Sequence, residues 1–377
     1  MHTSNLLDIA FVTETFPPEI NGVAMTVGRL VGGLRERGHR VRVIRPRQGQ
    51  IDAGSEEELA LPGLPLPGYA GLRFGLPAGR RLHREWKKRR PDLVHVVTEG
   101  PLGWSAVNVA RRIGIPVTSG FHTNFDRYSV HYGLGWMRPA VAAYLRSLHR
   151  RTLATMVPTA ALAADLAGEG LNGVRVVGRG VDTQLFDPQR RDMVLRASWG
   201  AAPDMPVCLY VGRLAPEKNL KLVEQAFAAI RQRHARAMMV WVGDGPSARQ
   251  LAIDHPDHHF AGMRTGTDLA AHYASADLFL FPSLTETYGN VVPEAMASGL
   301  PVLAYRSAAA AELIVDGDNG RLAPPGDGEA YIRIAGEMAV AAGEWSRMGA
   351  AARESMRAHR WSSVVERFEA VVREAML

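Results

Sequence analysis

Short apolar runs alternate with stretches of helical periodicity along most of the chain. LDIAFVT (7–13), RVRVIRP (40–46), DLVHVV (92–97), PVTSGF (116–121), ATMVPT (154–159) and VRVVG (174–178) have the length and apolar character of strands buried in a parallel sheet. Between the first two, Val23, Val27, Leu30, Val31 and Leu34 share one face of a predicted helix, which Gly38 stops. A second series begins at PVCLYVG (206–212). It runs through a helix at about 219–233, the strands AMMVWVG (237–243) and DLFLFP (277–282), a helix at about 291–299 and the strand PVLAY (301–305). Residues 47–79 are rich in Gly and Pro and poorly periodic, and are read as a long loop with little regular structure.

Two such series predict an α/β chain of two Rossmann-like, doubly wound parallel sheets. The expected boundary is FDPQRRD (186–192), giving an N-terminal domain over 1–188 and a C-terminal domain over 189–360. The amphipathic stretch 361–377 is expected to pack back on the first domain. Ligands of such sheets bind at the carboxyl ends of the strands, so the expected active site is a cleft between two facing domains.

The 377 residues are 46% hydrophobic and 22% charged, ordinary for a globular protein. The one cysteine, Cys208, lies in an apolar run, which excludes an intrachain disulfide and a cysteine-based zinc site. No run approaches the ~20 apolar residues of a membrane span. The first residues lack the pattern of a secretory signal, so the expected location is cytoplasmic. Charge is uneven. Residues 1–188 hold 24 Lys and Arg against 16 Asp and Glu, the remainder 20 against 22. The densest basic run, RRLHREWKKRR (80–90), surrounds Trp86. Together with GWMRPAVAAYLRSLHRR (135–151) it suggests peripheral binding to an anionic membrane surface, at the inner face of the cell membrane. No nucleic-acid-binding motif accompanies it, so nucleic acid is not an expected partner.

Chemistry concentrates in two segments. In FPSLTETYGNVVPEAMASGLPV (281–302), Glu286 lies in a loop and Glu294 in the helix that follows, with Pro293 in the first turn. The backbone amides of Gly289, Asn290 and Val291 would form an anion site at the helix N-terminus, suited to a diphosphate. Carboxylates beside such a site suit sugar and ribose hydroxyls. In YVGRLAPEKNL (210–220), Arg213 and Lys218 follow a strand on a loop, where two cations would neutralise a pyrophosphate. Asp316 and Asp318 form a D-x-D in a Gly-rich turn, and His255, His258 and His259 sit in a polar loop before a strand; a metal role is not expected of either group.

GRLAPEKN, the seven-residue spacing from Glu286 to Glu294, and EAMASGLPV together resemble glycosyltransferase family 4, the retaining enzymes of the GT-B fold. FVTETFPPEINGVAMTVGRLVGGLRERGHRVRVI and SGFHTNF look like the family's lipid- and mannosyl-transferring branch. The resemblance implies a hexosyltransferase using a nucleotide-diphosphate sugar of the GDP-mannose or UDP-glucose type. It implies a lipid or glycolipid acceptor and needs neither cofactor nor metal. By the same resemblance Arg213 and Lys218 hold the diphosphate, Glu286 the donor sugar and Glu294 the ribose. Gly289, Asn290 and Val291 contribute amides, Gly22 approaches the diphosphate from the first domain, and His122 lies near the sugar. Apart from the resemblance, His131 and Tyr128, which follow His122, are candidates either to face the acceptor or to serve a merely structural role. Asn21-Gly22 stands where the family has paired glycines, and Tyr288 where it usually has Phe. The competing readings are a soluble acceptor, a nucleotide-sugar 2-epimerase and a non-catalytic nucleotide-sugar-binding module.

Overall fold

The computed structural model describes residues 6–19, 21–49, 52, 54–65, 73–122 and 138–377. Two compact units partition them: residues 1–179 with 361–377, and residues 180–360. The first carries β1 (Asp8–Val12), β2 (Arg40–Pro46), β3 (Glu58–Leu61), β4 (Gly63–Pro65), β5 (Arg73–Gly75), β6 (Leu93–Val96), β7 (Val117–Gly120), β8 (Ala154–Val157) and β9 (Val174–Val176). The second carries β10 (Val207–Val211), β11 (Met238–Val242), β12 (His259–Gly262), β13 (Leu278–Phe281), β14 (Val302–Tyr305) and β15 (Gly320–Ala323).

The seven-stranded sheet of the first unit has the order β3-β2-β1-β6-β7-β8-β9, and the six-stranded sheet of the second has β12-β11-β10-β13-β14-β15. Every pair in both is parallel. Each order reverses once, between β1 and β6 and between β10 and β13. At such a switch point neighbouring connections leave in opposite directions and open a crevice at the strands' carboxyl ends.

Burial explains why these runs became strands. Every residue of β1 and β10 is buried, as expected where helices cover both faces of a sheet. Cys208 is the second residue of β10, the pKa of its thiol pushed up by burial. The helix Gly22–Glu36 buries Ala24, Thr26, Val27, Leu30, Val31 and Leu34, and Gly38 beyond it takes a left-handed φ of 89°. The closing helix Trp361–Met376 presses Val364, Val365, Phe368, Val371 and Val372 into the first unit's core. Gly33 makes this possible, since a Cβ there would lie 2.5 Å from Val365 Cγ2.

Two expectations need correction. Residues 180–188 pack with the second unit: Val181 and Phe186 are part of its core, and Arg353 holds the carbonyls of Thr183 and Phe186. The stretch 47–79 contains β3, at the edge of the first sheet, and the antiparallel pair β4-β5. These strands of three or four residues carry too few positions to show a period.

Candidate active site

In the second unit the candidate residues meet at the switch point. The loop leaving β10 carries Arg213 and Lys218, and the loop leaving the adjacent β13 carries Glu286. Lys218 Nζ pairs with Glu286 Oε1, and Ser283 Oγ donates to the same oxygen at 2.8 Å. Arg213 Nη1 lies 3.6 Å from Glu217 Oε1, and Glu217 is itself buried. The loops are tied together by Asn219 Nδ2 on the Pro282 carbonyl (3.4 Å) and Thr285 Oγ1 on that of Glu217 (3.4 Å). Asn219 reaches this position through a left-handed φ of 58°. Each cation therefore stands against a carboxylate that limits its charge.

The helix after this loop is Val291–Ala297. Gly289, with φ 88°, turns the chain into it, a conformation that disfavours any residue with a Cβ. Asn290 occupies the N-cap position without a side-chain capping bond. The Val292 amide donates to the Gly289 carbonyl at 3.1 Å, and the positive end of a helix dipole favours an anion beside such a turn. Glu294, one turn in, accepts a hydrogen bond from Tyr273 on Oε2 at 3.0 Å. Burial raises its carboxyl to about 7, and the Tyr273 hydroxyl opposes that rise. Tyr273 was not singled out in the sequence. It is fully buried at the end of an unremarkable helix, Gly266–Ser275, and only folding brings it to Glu294.

A third loop at this edge was also missed. Gly243 and Gly245 follow β11, and a Cβ on them would lie 2.0 Å from the Gly212 carbonyl oxygen and 2.4 Å from that of Leu214. The Leu214 amide donates to Asp244 O at 2.9 Å. The glycines thus let this loop close directly on the Arg213 loop. The signal was the pair of glycines just past the strand in VGDG (242–245).

In the first unit Glu14 lies in the loop leaving β1, Gly22 opens the helix that follows, and His122 follows β7. Asn21 caps the first helix, its Oδ1 accepting from the amides of Val23 (3.1 Å) and Ala24 (2.8 Å). A phosphate would have to displace Asn21 to use those two amides, so Gly22 offers less than a paired glycine would. Arg179 Nη2 donates to His122 Nδ1 at 3.2 Å. Burial, then Arg179, His95 and His149, hold the pKa of the ring well below the usual histidine value. Glu14, overlooked in the sequence, is raised to about 7 by burial while the amides of Gly75 and Leu102 hold it. Its carboxyl lies flat on Gly100, where a Cβ would stand 1.9 Å from Oε1. Tyr128, His131, Trp136 and Met137 lie outside the described residues.

The weaker candidates make contacts of their own. Asp316 Oδ1 accepts from Arg321 Nε (3.2 Å) and from the Leu322 amide (2.9 Å), closing the turn before β15. His255, Asp257 and His258 cluster, but Trp241 Nε1 donates to His258 Nδ1 at 3.1 Å. The proton of neutral His258 then sits on Nε2, and neither nitrogen offers a metal a lone pair without breaking that bond. The basic run forms the helix Gly79–Lys88, in which Trp86 is buried in the core and unavailable to a membrane. Its period places Trp86 on the same face as Leu82, so the aromatic faces inward and the cations outward. Arg80, Arg84, Lys87 and Lys88 are exposed, whereas Arg81 pairs with Glu85 (3.1 Å) and Arg89 with Asp8 (3.1 Å). Among the described residues no helix is long and apolar enough to cross a membrane.

Solved structures share this architecture. Sucrose-phosphate synthase from Thermosynechococcus elongatus aligns with a TM-score of 0.79 at 18% identity, covering 98% of each chain. Anabaena HepE in complex with UDP-glucose aligns at 0.76 and 18%, covering 98% of this chain and 100% of its own. Two Rossmann-like units of this kind define the GT-B fold. Residues 20–185 match the model for Glycosyltransferase Family 4 and residues 205–339 that for Glycosyl transferases group 1. A GDP-mannose-dependent alpha-mannosyltransferase of Mycobacterium tuberculosis is 34% identical over 95% of this chain and 94% of its own. An alpha-monoglucosyldiacylglycerol synthase of Streptococcus pneumoniae is 27% identical over 82% and 73%. The chain belongs to glycosyltransferase family 4 and is a nucleotide-sugar transferase related to mannosyltransferases and glycolipid synthases.

Proposed function

We propose that this enzyme transfers a hexosyl group, with retention, from a GDP-mannose- or UDP-glucose-type donor to a lipid or glycolipid acceptor. The observation that carries this reading is the pairing of Lys218 with Glu286 at the second unit's switch point, with Arg213 on the same loop as Lys218 and Glu294 in the helix that follows the Glu286 loop. Arg213 and Lys218 would take the diphosphate, exchanging carboxylate partners for phosphate oxygens. The amides of Gly289, Asn290 and Val291 would add donors. Glu286, released from Lys218, would accept from the sugar hydroxyls, and Glu294 from the ribose. His122 and Gly22 would serve from the first unit.

Stabilising the departing diphosphate is then the protein's main contribution, and the diphosphate itself takes the acceptor proton on the face it leaves. The cations make a metal unnecessary for that task. The lipid acceptor is supported by the relatives' substrates and by the exposed cations Arg80, Arg84, Lys87 and Lys88, which would hold the enzyme at the inner face of the cell membrane.

The test is transfer of label from GDP-mannose and from UDP-glucose into the organic phase, using a lipid extract as acceptor source, with and without EDTA. Labelled glycolipid with an α linkage is expected in both conditions. Label entering only water-soluble product would replace the lipid acceptor with a soluble one. Loss of transfer in EDTA, restored by magnesium or manganese, would overturn the metal-free reading.

A further inference from the structure

We infer that Arg179 locks His122 as a neutral hydrogen-bond donor through Nε2, serving a substrate oxygen, and that His122 neither accepts nor releases a proton during transfer. The inference rests on the transferase reading for what His122 touches, and on geometry alone for its state.

The argument follows the direction of each hydrogen bond. A guanidinium has donors only, so the contact from Arg179 Nη2 to His122 Nδ1 at 3.2 Å requires a lone pair on Nδ1. A neutral imidazole with its lone pair on Nδ1 carries its proton on Nε2. Arg179 cannot swing away cheaply, because it is buried and its Nη1 donates to Thr26 Oγ1 at 2.8 Å and to Gly22 O at 3.3 Å. Thr26 in turn donates its own hydroxyl to Gly22 O at 2.7 Å, leaving its oxygen to accept from Arg179. The donor in each of these contacts is fixed, and reversing the one between Arg179 and His122 would set N–H against N–H.

Protonating Nδ1 would also place a second positive charge beside the guanidinium. Among the described residues the other titratable groups acting on the ring are His95 and His149, with no carboxylate among them, and burial drives His95 down to about 3. The pocket of the His122 ring is lined by Thr26, Leu30, His95, Met156, Arg179 and Phe368, among others. Gly120 makes room for the ring, since a Cβ there would lie 2.4 Å from His122 Nε2. Arg179 is thus a positioning residue. It closes the first unit before the chain passes into the second, and couples the state of His122 to the first helix through Gly22 and Thr26.

Nitrogen-15 NMR of the histidine side chains reads the tautomer without turnover, with His122 assigned by its disappearance in His122→Gln or His122→Asn. The expected result is an unprotonated Nδ1 and a protonated Nε2 from pH 5 to 8. A proton on Nδ1, or titration of this ring in that window, overturns the inference. Kinetics supply the second arm. His122→Gln, whose amide N–H can replace Nε2–H, is expected to keep kcat within about tenfold, while His122→Ala loses about a hundredfold. A folded Gln variant as inactive as Ala overturns the donor role. Arg179→Met should give kcat a titration limb between about pH 5 and 7, near histidine's ordinary value. Arg179→Met combined with His122→Gln should lack that limb, and its persistence there overturns the assignment to His122. A chain that transfers no sugar removes the transferase reading, while the NMR result alone decides the lock.

Discussion

Lys218 and Glu286 neutralise each other at the second unit's switch point, and this pairing frames what each contributes to turnover. A diphosphate that replaces the carboxylate gains a charge-assisted contact that strengthens as the bond to the sugar breaks. Lys218→Ala and Arg213→Ala are each expected to lower kcat about a hundredfold, roughly 3 kcal/mol of lost transition-state stabilisation, with an unchanged circular dichroism spectrum. Near-normal turnover in either variant takes that residue out of the site. Glu294 bears on stability. Its carboxyl rises from an ordinary 4.5 to about 7, so the native state holds the proton more tightly than the unfolded chain. The stability this supplies is fully present below about pH 4.5 and is lost as pH climbs through about 7. Glu294→Gln, neutral and still able to accept from Tyr273, should leave Tm unchanged at about pH 4 and raise it by about 3 °C at about pH 8. Glu14 shares the raised value and keeps part of the pH dependence in that variant. An equal shift of Tm at both pH values would show that Glu294 is not the group that titrates.

Loops carry the chemistry at the scale of elements, and strands set where the loops begin. The Arg213 loop is held from one side by Asn219 on Pro282 and from the other by the glycine loop after β11. Gly243 has a φ of 134° and backs onto the Gly212 carbonyl, so Gly243→Ala must move one of the two loops. Nucleoside diphosphate affinity, read by calorimetry, is expected to fall more than about tenfold, since a misplacement of an ångström is costly at such sites. Unchanged affinity would mean that the Arg213 loop does not depend on this contact. The same scale accounts for what could be read in advance. β1, β10 and the two-turn helix Val291–Ala297 announce themselves through continuous apolar runs and a proline in the first turn. β15 was not expected, because GRLA follows a turn whose Asp316 must fold back onto the Leu322 amide before a strand can start.

Charge separates the two halves of the chain at the scale of the whole molecule. The excess of Lys and Arg in the first 188 residues becomes, on the helix Gly79–Lys88, an exposed row of Arg80, Arg84, Lys87 and Lys88 over a buried Leu82 and Trp86. Without an aromatic anchor, attraction to a membrane would be electrostatic, at about 1 kcal/mol per cation near an anionic surface. Co-sedimentation with anionic vesicles should therefore be strong at low salt, weak at high salt, and much reduced when Arg80, Arg84, Lys87 and Lys88 become Ser. Equal recovery with neutral and anionic vesicles would remove the membrane from the account.

Local pattern in the sequence determined the two parallel sheets, the helix that begins after Gly289, and the place of Arg213, Lys218, Glu286 and Glu294 on the loops and helix that follow β10 and β13, because strands, turns and motifs are written over neighbouring residues. It also marked Asn21-Gly22 as a departure, which the fold explains by turning Asn21 into the cap of the first helix. Tertiary structure alone decided the contacts between residues far apart in the chain. Tyr273 meets Glu294 across 21 positions, Lys218 meets Glu286 across 68, and Arg179 meets His122 across 57. It also decided that Trp86 faces the core, and that residues 180–188 pack with the second unit. The physical reason is common to all of these: burial and hydrogen-bond direction depend on what the folded chain places opposite a residue, and no periodicity along the sequence encodes that partner.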